Sequence, residues 1–349
     1  MSTENRYDAV LVLSFGGPEK REDVIPFLEN VLRGKPVPRE RMLEVAEHYY
    51  HFDGVSPINE QCRELIEALR GELDRHGILL PIYWGNRNWE PFLNQTVLQM
   101  RNDGVRRVIT FVTSGFSCYS GCRQYRENIA AALQQPGADG LHVDKLRVFY
   151  NHPDFVAVVA EKVGAAISEF PEDERDQVRI AFTAHSIPMG MARTSDYEKQ
   201  LKESCRLVAE SLGVPASNWD LVYQSRSGRP EDPWLEPDIL DHLRSMKDAG
   251  HCSVVISPVG FLSDHMEVLY DLDDEAKKLC ESEGIRMVRA ATPGNHPTFI
   301  SMIRKLIQER NAGLVKECVG FFPANHDVCP TDCCPAPVRP PARPMPANG

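Results

Sequence analysis

Residues 9–18 read Ala-Val-Leu-Val-Leu-Ser-Phe-Gly-Gly-Pro, an apolar run that stops at two glycines and a proline. An aliphatic run of this length, bounded by turn residues, predicts a buried β-strand. Amphipathic helical patterns follow at residues 24–32 and 60–76, and further apolar runs lie at residues 80–84 and 105–112. Strands that alternate with helices in this way indicate a parallel sheet with helices on both faces.

The second half of the chain repeats this pattern. Its predicted strands are residues 178–184, 221–224 and 252–258, and its predicted helices are residues 197–212, 236–247, 275–283 and 297–310. We therefore predict an α/β fold of two Rossmann-like domains, residues 1–145 and 146–312, each a parallel sheet flanked by helices, with a cleft between them. Residues 313–349 are rich in cysteine and proline and lack an apolar period, so we expect a tail without regular structure.

The overall charge argues against a nucleic-acid partner, because the formal net charge is -11 and no basic stripe is present. No stretch approaches about 18 consecutive apolar residues, so we expect no transmembrane segment. The first residues contain no apolar leader core, which predicts a cytoplasmic protein, and we expect a monomer. Neither a Gly-x-Gly-x-x-Gly motif nor a Walker loop is present, which argues against a dinucleotide or nucleotide site.

Four of the ten cysteines crowd the end of the chain, at Cys318, Cys329, Cys333 and Cys334. In a cytosolic protein such a group favours a metal site over disulfides. Zinc commonly uses pairs with a two-residue spacing, which is absent here, whereas iron–sulfur clusters accept looser spacing. Because adjacent cysteines strain a shared cluster, an internal cysteine is an alternative source of the fourth ligand. A reactive tail without metal is the competing interpretation.

A histidine stands at the end of the predicted strand 178–184. His185 is followed by Ser186 and, two residues later, by Pro188, which stops the strand. In open α/β sheets the ligand crevice lies at the carboxyl ends of the strands, so we predict that His185 points into the cleft. A neutral imidazole can accept a proton or bind a metal there. A core histidine that caps the strand is the alternative.

Three acidic residues follow the predicted strand 252–258 at a spacing of four. Glu267, Asp271 and Glu275 would form one acidic line on a helix. Like charges at this spacing cost stability, so we interpret the line as a guide for cations or protons. The alternative, a solvated acidic face, suits Glu275 better than Glu267, whose neighbours are apolar.

Seven stretches together resemble the ferrochelatase family over about residues 7–312. They are Leu-Ser-Phe-Gly-Gly-Pro-Glu (13–19), Gly-Val-Ser-Pro-Ile (54–58), Gly-Asn-Arg-Asn-Trp-Glu-Pro (85–91), Phe-Thr-Ala-His-Ser-Ile-Pro (182–188), Tyr-Gln-Ser-Arg-Ser-Gly (223–228), Pro-Trp-Leu-Glu-Pro (233–237) and Gly-Phe-Leu-Ser-Asp-His-Met-Glu (260–267). Each stretch alone is weak, but their order and spacing also match. The chain looks closest to actinobacterial-type members that carry a cysteine-rich end.

The resemblance implies an enzyme that inserts ferrous iron into a porphyrin and needs no organic cofactor. It implies that His185 and Glu267 are the catalytic, iron-binding pair, facing one another across the porphyrin cleft, and that Asp271 and Glu275 relay cations or protons. The substrate-binding residues that it suggests are Phe15, Arg33, Ser56, Tyr125 and Arg126. Members of this bacterial group commonly use coproporphyrin III, which yields coproheme, and protoporphyrin IX is the alternative substrate.

The tail resembles the [2Fe–2S] tails of cluster-bearing ferrochelatases. The resemblance implies cluster ligands among Cys318, Cys329, Cys333 and Cys334. Two alternatives stay open: an internal cysteine, Cys205 or else Cys122, replaces one of them, or the tail supplies all four. Other enzymes of heme biosynthesis are the implied protein partners. Two further functions stay open from the sequence: a cobalt chelatase for a more open tetrapyrrole, and a non-catalytic heme or iron–sulfur sensor.

Overall fold

The computed structural model describes residues 7–35, 37–227, 229 and 231–337, so the predicted tail beyond residue 337 lies outside the described residues. Two parallel four-stranded sheets flanked by helices confirm the predicted α/β class. The first sheet contains β1 (Ala9–Ser14), β2 (Ile82–Asn86), β3 (Arg107–Val112) and β4 (His142–Lys145). The second contains β5 (Arg179–His185), β6 (Trp219–Gln224), β7 (Ser253–Ser257) and β8 (Arg286–Arg289).

The α-helices cover both faces of these sheets. They are α1 (Val24–Leu32), α2 (Arg39–His51), α3 (Ile58–Arg75), α4 (Leu93–Asn102), α5 (Gln124–Leu133), α6 (Pro153–Ser168), α7 (Met189–Ala192), α8 (Tyr197–Ser211), α9 (Ile239–Asp248), α10 (Met266–Val268), α11 (Lys277–Glu283) and α12 (Pro297–Ala312). Two π-helical segments, Tyr119–Arg123 and Leu269–Ala276, precede α5 and α11. Within the described ranges, no helix is both long enough and apolar enough to cross a lipid bilayer.

The strand order places a crevice in each sheet. The orders are β2-β1-β3-β4 and β6-β5-β7-β8, so the chain switches sides between β1 and β3 and again between β5 and β7. Ligands of such sheets bind at the carboxyl ends of the strands that flank the switch point. The loops that follow β1, β3, β5 and β7 are therefore the ones that build the site.

One apolar cluster joins the two halves. Phe111 on β3 stacks on Phe149 with ring centroids 5.7 Å apart, and Phe149 packs on Phe299 of α12 at 6.1 Å. Helix α12, the last in the chain, lies against α3 of the first half and α6 of the second. Burial of aromatic side chains is among the largest favourable terms per residue, so this cluster fixes one sheet relative to the other.

Some elements were not predicted from the sequence. Helices α2, α4 and α6 and the edge strands β4 and β8 carried no assignment, and β4 is a short, half-exposed polar strand without an apolar run. The prediction of a helix around residue 275 was incomplete, because Leu269–Ala276 forms a π-helix ahead of α11. π-helical turns are rare and are frequently found at functional sites.

The described part of the tail, residues 313–337, contains no helix or strand but is bonded to the body of the protein. The Val319 amide donates to the Asn151 carbonyl at 2.9 Å, and the Phe321 amide donates to the Glu203 carboxylate at 2.7 Å. The guanidinium of Arg206 covers the Phe321 ring at 3.8 Å. The tail is therefore a strap across α8 and the loop that precedes α6.

A buried ion pair anchors the start of this strap. Arg147 binds both carboxylate oxygens of Glu309 at 2.8 and 2.9 Å, and the two side chains are 1% and 4% exposed. Arg147 also donates to the Glu317 carbonyl at 2.8 Å. A bidentate pair with these additional hydrogen bonds satisfies both charges away from water.

We expect Glu309→Ala to lower the free energy of unfolding by about 3–5 kcal/mol, because it leaves the Arg147 charge buried without a partner. Urea unfolding followed by circular dichroism measures the change. Glu44→Ala is the matched control: it removes the exposed carboxylate paired with Arg41 and should cost less than about 1 kcal/mol. Equal stability of the two variants would contradict a structural role for the buried pair.

Candidate active site and tail cysteine cluster

His185 is the last residue of β5, as the sequence predicted, and its ring is held at one nitrogen. Nδ1 lies 2.5 Å from the Ser186 carbonyl and donates its proton there, which leaves Nε2 for the cleft. The Tyr197 hydroxyl donates to the His185 carbonyl at 3.1 Å, so α8 fixes the strand end. The side chain remains 32% exposed and can meet a ligand.

Glu267 lies beside His185 rather than opposite it. The Glu267 carboxylate is 3.5 Å from His185 Nε2 and 3.3 Å from His265 Nε2, so one imidazole faces each oxygen. This corrects the expected placement of the pair on two sides of a cleft. The reason is topological, because β5 and β7 are neighbouring strands and the segment after β7 returns to the end of β5.

The two groups shift one another's protonation. Burial lowers the pKa of His185, but the Glu267 carboxylate raises it more, and the resulting pKa is about 9. Burial raises the pKa of Glu267, but His185 and His265 lower it well below its ordinary range. At neutral pH the pair is therefore an imidazolium and a carboxylate.

Asp271 lies one turn further along the π-helix. Its carboxylate accepts hydrogen bonds from the Ser225 hydroxyl and, at 3.2 Å, from Gln224 Nε2, which also donates to the Glu267 carbonyl at 3.1 Å. Burial raises the pKa of Asp271 to about 7, with a further increase from the Glu267 and Glu275 charges. Burial also raises the pKa of Glu275. The predicted acidic line thus contains a carboxyl group that titrates near neutral pH.

The predicted substrate-binding residues of the first half lie around the end of β1. The Arg87 guanidinium lies over the Phe15 ring at 5.6 Å and over the Tyr125 ring at 4.6 Å. Ser56 is buried, and its amide donates to the Pro18 carbonyl at 2.9 Å. Arg33 is exposed at the end of α1, where it donates to Asn30 at 2.5 Å. Arg87 was quoted in a motif but not assigned to the site.

Arg126 is in contact with the tail. Its Nη2 donates to the Cys333 carbonyl at 3.3 Å, and Arg123 Nη1 donates to the same carbonyl at 3.4 Å. The π-helix Tyr119–Arg123 turns this face of α5 toward the tail. The Arg126 charge therefore lies beside the tail cysteines, and its assignment to the porphyrin site stays a prediction.

Helix α2 of the first half covers the π-helix of the second half, and sequence reasoning missed it. His48 stacks on Tyr270 with centroids 3.8 Å apart, and His51 Nε2 is 3.2 Å from the Asp274 carboxylate. Burial and the nearby Glu267 charge raise the pKa of Tyr49. The aromatic run at residues 48–51 was the available signal in the sequence.

The tail cysteines meet an internal cysteine. Cys333 and Cys334 have their Sγ atoms 3.6 Å apart. The Cys122 thiol faces the Cys329 thiol, and this neighbour, with Lys145 and Arg126, lowers the pKa of Cys122 against the effect of burial. We call the four residues Cys122, Cys329, Cys333 and Cys334 the tail cysteine cluster.

The other two predicted ligands are placed differently. Cys318 is exposed, and Cys205 is fully buried in α8, where burial raises the pKa of its thiol. Of the two internal cysteines suggested as the fourth ligand, Cys122 is therefore the one that the structure brings to Cys329. A buried thiol among apolar side chains behaves as a small core residue, which accounts for Cys205.

Comparisons with known proteins identify the family of the chain. The family model described as ferrochelatase matches residues 7–311. A ferrochelatase of Rhodopirellula baltica is 57% identical and is aligned over all of both chains. A coproporphyrin III ferrochelatase of Streptomyces coelicolor is 48% identical over 96% of this chain and 95% of that one. The solved structure of SirB from Bacillus subtilis with Fe3+ has a TM-score of 0.52 at 12% identity, covering 87% of this chain and 97% of that one, which shows a shared fold alone.

Because the family model covers most of the chain and the relatives are this similar, the chain belongs to the ferrochelatase family, the lyases that insert iron into porphyrins.

Proposed function

We propose that the porphyrin of this enzyme is coproporphyrin III and that the product is coproheme. The name of the Streptomyces coelicolor relative supports this choice. Four propionates need several cationic or hydroxyl partners at the cleft, and Arg87, Arg33 and Ser56 of the first half are the groups that would meet them. The Phe15 ring beside Arg87 adds an aromatic surface for the macrocycle.

We propose that the contact between His185 and Glu267 is the catalytic centre, and the 3.5 Å separation of Nε2 and Oε1 is the observation that carries the proposal. Ferrous iron, the substrate metal, takes a neutral imidazole and a carboxylate as ligands. As iron arrives, the His185 proton must leave, because a metal and a proton compete for the same lone pair. Insertion then releases the two pyrrole N–H protons of the macrocycle.

These protons need an acceptor that is ionised near neutral pH. Asp271 meets the requirement, because the pKa of its carboxyl is about 7 and it is joined to the Glu267 carbonyl through Gln224. A general base is most effective when its pKa lies near the working pH. Glu275, the next residue of the acidic line, would pass protons on toward solvent.

We expect His185→Ala to lower the rate of iron insertion at least about 100-fold, because it removes both a metal ligand and the partner of Glu267. Anaerobic conversion of free-base to metallated absorption bands measures the rate. His142→Ala, at an exposed histidine, is the control. A near-normal rate for His185→Ala would contradict the catalytic assignment.

The substrate choice has its own test. With coproporphyrin III the native enzyme should show at least about tenfold greater kcat/KM than with protoporphyrin IX. A preference for protoporphyrin IX would contradict the substrate choice.

The acid side of the pH profile tests the role of Asp271. Protonation removes its ability to accept a proton, so the native rate should fall as the pH drops through about 7. Asp271→Asn should lower the rate at neutral pH about 100-fold and remove this acid limb. Asp173→Asn, at an exposed carboxylate, is the control and should keep the native profile. An unchanged acid limb in Asp271→Asn would place the titrating group elsewhere.

We also propose that the tail cysteine cluster holds a [2Fe–2S] cluster. Each iron of such a cluster takes two thiolates, and two thiolates on one tetrahedral metal lie about 3.8 Å apart when each metal–sulfur bond is about 2.3 Å. Cys333 and Cys334, whose Sγ atoms are 3.6 Å apart, meet this spacing, and Cys122 and Cys329, which interact with one another, would supply the second pair. Arg126 and Lys145 supply positive charge that favours the thiolates. When bound, the cluster supplies a one-electron redox centre.

Cys122→Ser should abolish the visible charge-transfer absorption of the as-isolated protein, because one iron loses a ligand. Cys318→Ser and Cys205→Ser should keep that absorption, since neither thiol belongs to the cluster. Absorption spectra and iron and sulfide analysis of the three variants measure this. Loss of the absorption in Cys318→Ser with retention in Cys122→Ser would overturn the ligand set, and a colourless native protein with stoichiometric zinc would overturn the cluster.

A further inference from the structure

A histidine shares the space of the tail thiols. Among the residues that the structure describes, one group of three or more His, Cys, Asp and Glu side chains has all its ligand atoms within 4.8 Å of one another. Its members are His326, Cys329 and Cys333. An imidazole nitrogen and two sulfurs are the donor types that zinc and ferrous iron prefer. Sequence reasoning did not single out His326, because it belongs to no cysteine motif.

Contacts within the tail and with the body of the protein hold the three donors in place. The Cys333 amide donates to the Pro330 carbonyl at 3.1 Å, a turn that sets Cys333 relative to Cys329. Next to His326, Asp327 is paired with Lys316 at 2.9 Å and with Arg310 at 3.6 Å. Ion pairs and a turn thus hold the three donors close together in advance, which reduces the ordering cost of binding.

The donor set differs from that of the proposed cluster. In the proposed cluster one iron takes Cys122 and Cys329 and the other takes Cys333 and Cys334. Cys329 and Cys333 therefore bind different irons. A single ion held by His326 would instead take Cys329 and Cys333 together. The same two thiolates cannot serve both arrangements, so a single ion and the cluster exclude one another.

We propose that His326, Cys329 and Cys333 form a mononuclear site that binds one divalent transition-metal ion of the zinc or ferrous iron class when the cluster is absent. Three protein ligands leave the fourth position of the tetrahedron to solvent. His326 is exposed and the two cysteines are half-buried, so an ion reaches the site directly from solution. The substrate metal of this enzyme belongs to the class that the site selects.

Cobalt is a suitable probe, because a tetrahedral thiolate site gives it intense visible bands. The full-length protein is stripped of its cluster under argon and titrated with Co2+, and we expect the intense thiolate bands to reach their maximum at one thiolate-bound Co2+ per chain and to disappear when Zn2+ displaces it. His326→Ala should weaken Co2+ binding at least about tenfold. His326→Asn, which is closer in size, should show the same loss, and His142→Ala should bind Co2+ as the native chain does.

Two further variants separate the mononuclear site from the cluster. Cys122→Ser and Cys334→Ser should lose the cluster absorption and still bind Co2+ with native affinity, whereas His326→Ala should keep the cluster. Native Co2+ affinity in His326→Ala and His326→Asn would overturn the proposal. So would loss of Co2+ binding in Cys122→Ser and Cys334→Ser, which would show an all-cysteine site. Absence of a cluster from the native protein would contradict the cluster proposal, and the Co2+ titration would still test the mononuclear site.

Discussion

The close passage of one strand end over another is the constraint on which the site depends. Gly260 follows β7, and a Cβ at this position would lie 2.6 Å from the Ala184 Cβ, so only glycine lets the chain cross here. The crossing brings the segment that leads to Glu267 against the end of β5. Without it the carboxylate would not reach His185, and the opposed pKa shifts of the pair would not arise. The acidic line inherits its position from the same turn.

The two halves of the chain meet at more than one place, and this shapes the cleft. Helix α12 packs on α3 behind the sheets, while α2 reaches over the π-helix in front of them. One wall therefore comes from β1, Arg87 and α2, and the other comes from β5 and β7. The apolar cluster joins the two halves at the rear, and the stacked rings of His48 and Tyr270 join them at the front.

Local patterns predicted the central strands closely and the edges poorly. The strand predicted at residues 178–184 is observed at Arg179–His185. The edge strand Arg286–Arg289 is too short and too polar to be recognised from the sequence. The motifs named His185 and Glu267, but their contact follows from the strand order, which no local pattern contains. For the same reason no local pattern predicted the contact of Arg126 with the tail. Its partner, the Cys333 carbonyl, is remote in sequence and carries no side-chain signature.

The contact between the Cys122 and Cys329 thiols determines when a metal can be bound during synthesis of the chain. A metal bonded to both would close a loop that spans the two sheets, and such a cross-link lowers the conformational entropy of the unfolded chain by an amount equivalent to about 5 kcal/mol. Cys122 lies in the first half of the chain, and Cys329 follows the last strand of the second sheet. Metal loading at this contact therefore has to wait until both sheets have been synthesised, so a loaded centre marks a chain in which both are present.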